Sequence, residues 1–94
     1  MHIIIAKVVA KPAEIATVQS ELLKLVEPTH KEQGCVEYRL HQDKTDQTLF
    51  IFYERWESEA HLQQHIESAH FKACMSNLEG RTEGLTIQEL TALH

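Results

Sequence analysis

The 94-residue sequence predicts a ferredoxin-like α+β fold, a βαββαβ chain whose antiparallel four-stranded sheet carries its helices on one face. Three observations predict it. Apolar residues recur with strand spacing at both ends of the chain and in two runs near its middle. Two intervening stretches switch to spacings of three and four. The two middle runs are joined by the short polar segment Asp43 to Gln47, which reads as a hairpin loop. No repeat, low-complexity tract or linker composition divides the chain, so residues 1–94 are read as a single domain. A domain of this size buries only about 60–65% of the surface its unfolded chain exposes, so its core is thin.

His2 to Ala10 is β-branched and apolar on both sides, with Ile3, Ile5 and Val9 against Ile4, Ala6 and Val8, and only Lys7 interrupts it. Pro12 suits a first helical turn, and Ile15, Val18, Leu22, Leu25 and Val26 then mark a long amphipathic helix. Pro28 interrupts the pattern, with Thr29 to Gln33 forming one more turn before a stop at Gly34. From Cys35 to Gln42, Val36, Tyr38 and Leu40 alternate with Cys35, Glu37, Arg39 and His41, as in a half-buried strand. Thr48 to Trp56, rich in Phe, Ile and Tyr, is its antiparallel neighbour. Ser58 is an N-cap with an acid, Glu59, behind it; Ala60, Leu62, Ile66 and Phe71 continue a stripe through a bend near Ser68-Ala69-His70 to about Asn77. Glu79 to Gly84 reads as loop. Leu85 to Leu93 closes the chain as a strand with Leu85, Ile87, Leu90 and Leu93 as its apolar members.

Right-handed crossovers place both helical segments on one side of the sheet. The first strand cannot satisfy its second apolar side that way, and a bare apolar sheet face of several hundred Å² is uncommon on a monomer. A homodimer joined through sheet faces is the expected cover. The alternative is a C-terminal tail folded over the sheet.

A net charge of −5, with nine Lys and Arg interleaved with fourteen acids, offers no basic patch for nucleic acid or an anionic membrane. No stretch approaches the roughly 20 apolar residues of a membrane span, and the segment Met1 to Lys7 has no positive lead, so the expected location is cytoplasmic. Cys35 and Cys74 lack CxxC spacing and read as two reduced thiols.

The run Phe50-Ile51-Phe52-Tyr53-Glu54-Arg55-Trp56-Glu57-Ser58, followed by Ala60-His61-Leu62, His65 and His70-Phe71, resembles the central signature of the antibiotic biosynthesis monooxygenase superfamily, in particular its bacterial quinol-monooxygenase-like members. The likeness extends more loosely over the opening strand, the helix after Lys11-Pro12 and the step Glu32-Gln33-Gly34-Cys35. It implies a dimeric α/β-barrel assembly of ferredoxin-like subunits, each with a pocket between sheet and helices. It also implies oxidation of a quinol or similar small phenolic by dioxygen without flavin, metal or other cofactor. Haem-degrading relatives pair a tryptophan on the second helix with an iron-ligating histidine; the matching places here hold His65 and Met75, which sets this chain apart from them. The run His70 to Cys74 with Leu78-Glu79 also resembles relatives that isomerise small hydroxycarbonyl compounds. A non-catalytic dimeric ligand-binding protein is the third possibility.

Cofactor-free oxygenation needs a base that makes an electron-rich phenolate, and an apolar cavity poor in water. His65 is the first candidate base, since a neutral imidazole accepts a proton near pH 7 and the resemblance places a histidine there. His70, at the bend, is a second catalytic candidate or a structural cap. Glu54 shares its strand face with Phe50, Phe52 and Trp56, so burial would raise its pKa and suit it to shuttle protons; a salt bridge to Arg39 or Arg55 is the alternative. Trp56, Tyr38, Tyr53 and Phe71 are candidate substrate-binding residues, with plain core packing as their alternative. Lys7 is placed with them at the pocket mouth, unless it simply reaches solvent. His61 and His65 are four apart on a helix, a spacing metal sites use, but no third ligand has matching spacing and no metal is expected.

Overall fold

The computed structural model describes residues 1–94. Strand β1 (His2–Ala10) leads through a 3-10 turn (Pro12–Glu14) into helix α1 (Ile15–His30). Strands β2 (Cys35–Gln42) and β3 (Leu49–Trp56), helices α2 (Glu59–Ile66) and α3 (Ala69–Leu78), and strand β4 (Thr82–Leu90) follow. The sheet order is β2-β3-β1-β4, with each neighbouring pair antiparallel. The ferredoxin-like topology is thus as the sequence predicts, with β1 in the interior of the sheet.

The pleat sorts the side chains. Ile4, Ala6, Val8 and Ala10 of β1 and Phe50, Phe52, Glu54 and Trp56 of β3 are all buried on the helix side, where the register sets Ile4 beside Glu54, Ala6 beside Phe52 and Val8 beside Phe50. Val18, Leu22, Leu25 and Thr29 form the buried stripe of α1, which packs on β2 and α3. Ile3, Ile5, Val9, Leu49, Ile51 and Tyr53 point to the other side and stay half-buried in the single chain.

Four local expectations change. Helix α1 runs through Pro28, which stands two residues from its end at His30, so the bond and the ring clash a proline brings fall on the last turn alone. The chain then tightens, with Lys31 N–H donating to Pro28 O and Glu32 N–H to Thr29 O. In β2 an irregularity between Cys35 and Glu37 breaks the alternation, so Cys35 pairs with Trp56 while Val36 is exposed. The hairpin turns on Asp43, whose Oδ2 accepts from the N–H groups of Thr45 and Asp46, and β3 begins at Leu49 rather than Thr48. Strand β4 begins at Thr82, in the segment expected to be loop, because its N-terminal polar residues extend an edge that pairs with β1 as far as Ala10. Leu85 and Ile87 face the helix side, Leu90 faces the other, and Leu93 lies beyond the strand.

Candidate active site

Ser58 caps α2 by accepting from His61 N–H, and Ser68 caps α3 by accepting from Phe71 N–H. The two caps fix the break between the helices and turn His65, His70 and Phe71 toward one region. Glu32 reaches that region from the α1–β2 connection. His65 Nδ1–H donates to Glu32 Oε2 at 2.7 Å, and His70 Nε2–H donates to the same oxygen at 2.6 Å. A carboxylate only accepts, so both rings supply the proton. His65 is 2% exposed, Glu32 15% and His70 28%, so the three step outward from core to surface.

An aromatic cage holds the His65 ring. Trp56 lies 4.9 Å from it in a tilted arrangement, while Tyr38 at 5.3 Å and Phe71 at 5.1 Å meet it edge to face. Burial pushes the His65 pKa down, against the opposing pull of the Glu32 carboxylate, which favours the neutral base at pH 7. Its Nε2 has no hydrogen-bond partner within the protein, and the ring lines a cavity between sheet and helices.

That cavity has a volume of about 30 Å³. It can hold a water or a dioxygen molecule but not an aromatic ring. Thirteen of its fifteen lining residues are apolar, so Glu54 and His65 supply its polar chemistry. Leu85 and Ile87 close it on the β4 side and remain 42% and 47% exposed, since α1 lies over β2 and leaves β4 uncovered. A groove of about 230 Å³ beside it shares Val8, Met75 and Leu85 and opens between α3 and β4.

Glu54 is 4% exposed and accepts from Trp56 Nε1–H at 2.9 Å. Burial raises its carboxyl pKa to about 7; the indole N–H pulls it down and the Glu32 charge pushes it up. The alternative salt bridge is not made, because Arg39 and Arg55 both pair with Glu37 on the other face of the sheet.

The structure therefore gathers His65, Glu54, Tyr38 and Phe71 around the cavity. Trp56 stands behind, packed on His65 and bonded to Glu54. His70 is not a lining residue; it lies on the far side of Glu32. Tyr53 and Lys7 are a correction, because strand alternation puts both on the opposite face, and Lys7 is exposed there. His61 does not pair with His65: its Nδ1 accepts from the Ser58 hydroxyl at 2.8 Å. Cys35 and Cys74 are free, and burial raises both thiols to about 11.

Glu32 is the member that sequence reasoning missed. It lies 33 and 38 residues from its two partners, so no local spacing marks it, and only its place in the Glu32-Gln33-Gly34-Cys35 step hinted at it. The donor atoms of Glu32, His65 and His70 lie within 4.8 Å of one another, and these are donor types that divalent transition metals take. Ligand atoms around such an ion stand roughly 3 Å apart when the bonds are about 2.1 Å. The separations of 2.6 and 2.7 Å are instead those of charge-assisted hydrogen bonds.

Residues 1–77 match the family described as "Antibiotic biosynthesis monooxygenase", and the chain belongs to that family. Over 100 aligned positions it is 28% identical to "Probable quinol monooxygenase YgiN" of Escherichia coli strain K12, covering 96% of each protein. It is 31% identical to YcnE of Bacillus subtilis strain 168 over 72 residues, 77% of this chain and 76% of that one. A 46-residue match to sll1783 of Synechocystis sp., at 35% identity, takes in 49% of this chain and 31% of that longer protein. Among solved structures, PA3566 from Pseudomonas aeruginosa superposes with a TM-score of 0.95 at 33% identity, over 99% of this chain and 94% of that one.

Proposed function

We propose that this protein is a cofactor-independent monooxygenase that oxidises a quinol or similar small phenolic with dioxygen. The observation that carries the proposal is His65: an imidazole held through Nδ1, caged by aromatics, with no protein partner at Nε2 and its ring lining a nearly all-apolar cavity. Such a base takes the substrate hydroxyl proton and leaves an electron-rich quinolate where little water competes. The quinolate gives up electrons to dioxygen and forms a ring C–O bond, and the resulting peroxide takes back the proton held on His65 to become a hydroperoxide. Loss of the ring C–H proton then breaks the O–O bond, and the departing hydroxide takes up a proton as water. The sum is quinol plus dioxygen to hydroxyquinone plus water, with all four electrons from the substrate.

Glu54, poised near neutrality, is suited to accept the ring proton and return it to the departing hydroxide. Tyr38 and Phe71 contact the ring of the substrate, and Trp56 holds Glu54 and His65 in place. The small cavity suits dioxygen, and seating the aromatic ring requires Leu85 and Met75, which also line the adjoining groove, to move aside.

The functional unit in this reading is a homodimer joined through the outer sheet faces, where Ile3, Ile5, Ile51 and Tyr53 await a cover. The reading also places the protein in the cytoplasm, which two unpaired thiols suit.

Oxygen uptake by the metal-stripped protein, measured across a panel of quinols, tests the reaction. Wild type is expected to exceed the uncatalysed rate, and His65→Ala to lose about 100-fold or more in kcat. Uptake no faster than without protein would refute the oxygenase. Uptake unaffected by His65→Ala would keep the reaction and remove the base.

A further inference from the structure

Beyond the base itself, we propose that Glu32 is the positioning residue for His65 and that Glu32 and His70 carry the proton taken at the cavity out to solvent. This rests on His65 acting as the base. The geometry has two parts. First, Glu32 Oε2 accepts His65 Nδ1–H at 2.7 Å, which fixes the tautomer that leaves Nε2, the ring nitrogen without a protein partner, unprotonated. When Nε2 takes a proton, the ring becomes an imidazolium only 2% exposed, and the adjacent carboxylate offsets its charge. Second, the same oxygen accepts His70 Nε2–H at 2.6 Å, and His70 is the outermost of the three.

Nε2 gains the substrate proton, Nδ1 releases its own to Glu32 Oε2, and Glu32 passes it to Nε2 of His70 once that ring has exchanged through solvent to its Nδ1–H form; the imidazolium so formed releases its Nδ1 proton to solvent. His65 is left neutral in the opposite tautomer. It recovers the first tautomer when Nε2 gives its proton to the peroxide that dioxygen forms on the ring, and Nδ1 is reprotonated along the same path. No bond between heavy atoms changes. His70 thereby gains a role that its distance from the cavity lining would otherwise deny it. Tyr38 from β2, Glu54 from β3 and Cys35 beside Glu32 are the other titratable groups around this chain, and none bonds to either imidazole.

The tautomer is read directly from long-range 1H–15N spectra of the histidine rings in the intact protein. Wild type is expected to show His65 as the Nδ1–H form, and Glu32→Gln to show a mixture, with Glu32→Asp between them. A His65 that keeps its wild-type spectrum in Glu32→Gln would overturn the proposal. This readout needs no turnover, so it decides the role of Glu32 even if no quinol is oxidised, which would defeat the oxygenase reading alone. With the fastest quinol of the panel, Glu32→Gln is expected to lower kcat about tenfold or more with KM little changed. His70→Gln keeps a donor to Glu32 but not the exit. It is expected to lower kcat similarly and to recover when imidazole is added to the buffer. Wild-type kcat in His70→Gln, or a loss that imidazole does not restore, would overturn the relay.

Discussion

Glu54 occupies a helix-facing strand position among Phe50, Phe52 and Trp56, and its single side-chain partner is the Trp56 indole. Its carboxyl titrates near 7 in the folded protein, against an ordinary value of 4.5. The folded state therefore holds a proton that the unfolded chain has already lost between those values, and stability falls as pH rises through that window and levels off above it. Glu54→Gln removes the dependence while keeping an oxygen for the indole N–H. The variant is expected to be more stable than wild type at pH 8, by up to about 3 kcal/mol, with the gap closing toward pH 4.5. Urea unfolding of both proteins across that range measures it, and a gap independent of pH would contradict the buried-acid account. The face of Glu54 was legible in the sequence, because strand parity needs only its near neighbours. Its bond to Trp56 was not, because parity sets a face and not a rotamer. Glu32 was illegible for the opposite reason, since its partners arrive from another element.

At the scale of elements, the break between α2 and α3 is legible because serine caps and the helical stripe are local signals. The path from α1 into β2 is less so. Gly34 has φ +83°, and a side chain there would meet the His61 ring from α2, a contact no local pattern encodes. Gly80 has a similar φ of +78° with open space around it. The pair separates backbone strain from collision. Gly80→Ala is expected to cost about 1 kcal/mol, and Gly34→Ala about 2 kcal/mol or more, with part recovered in Gly34→Ala/His61→Ala. Thermal unfolding compares them, and equal losses at the two glycines would contradict the packing of His61 on the turn. The start of β4 was hidden by composition: Thr82 and Glu83 look like loop, yet edge strands tolerate polar residues.

For the whole molecule, the order of elements and the one-sided helix layer follow from periodicity, but the off-centre placement of that layer does not. Because α1 lies toward β2, the helix-side surface of β4 is left open, and Leu85 and Ile87 become the wall of a cavity rather than core. The opposite face leads to a second expectation. Light scattering should show a dimer at micromolar concentration, and Ile5→Glu, which sets an unpaired charge in the centre of the outer face, should shift it to monomer; a wild-type monomer would contradict the face-to-face assembly. The most direct test of the central claim is product mass after turnover under 18O2. One labelled oxygen atom in the hydroxyquinone and the other in water is the predicted result, and an unlabelled quinone with accumulated hydrogen peroxide would contradict it.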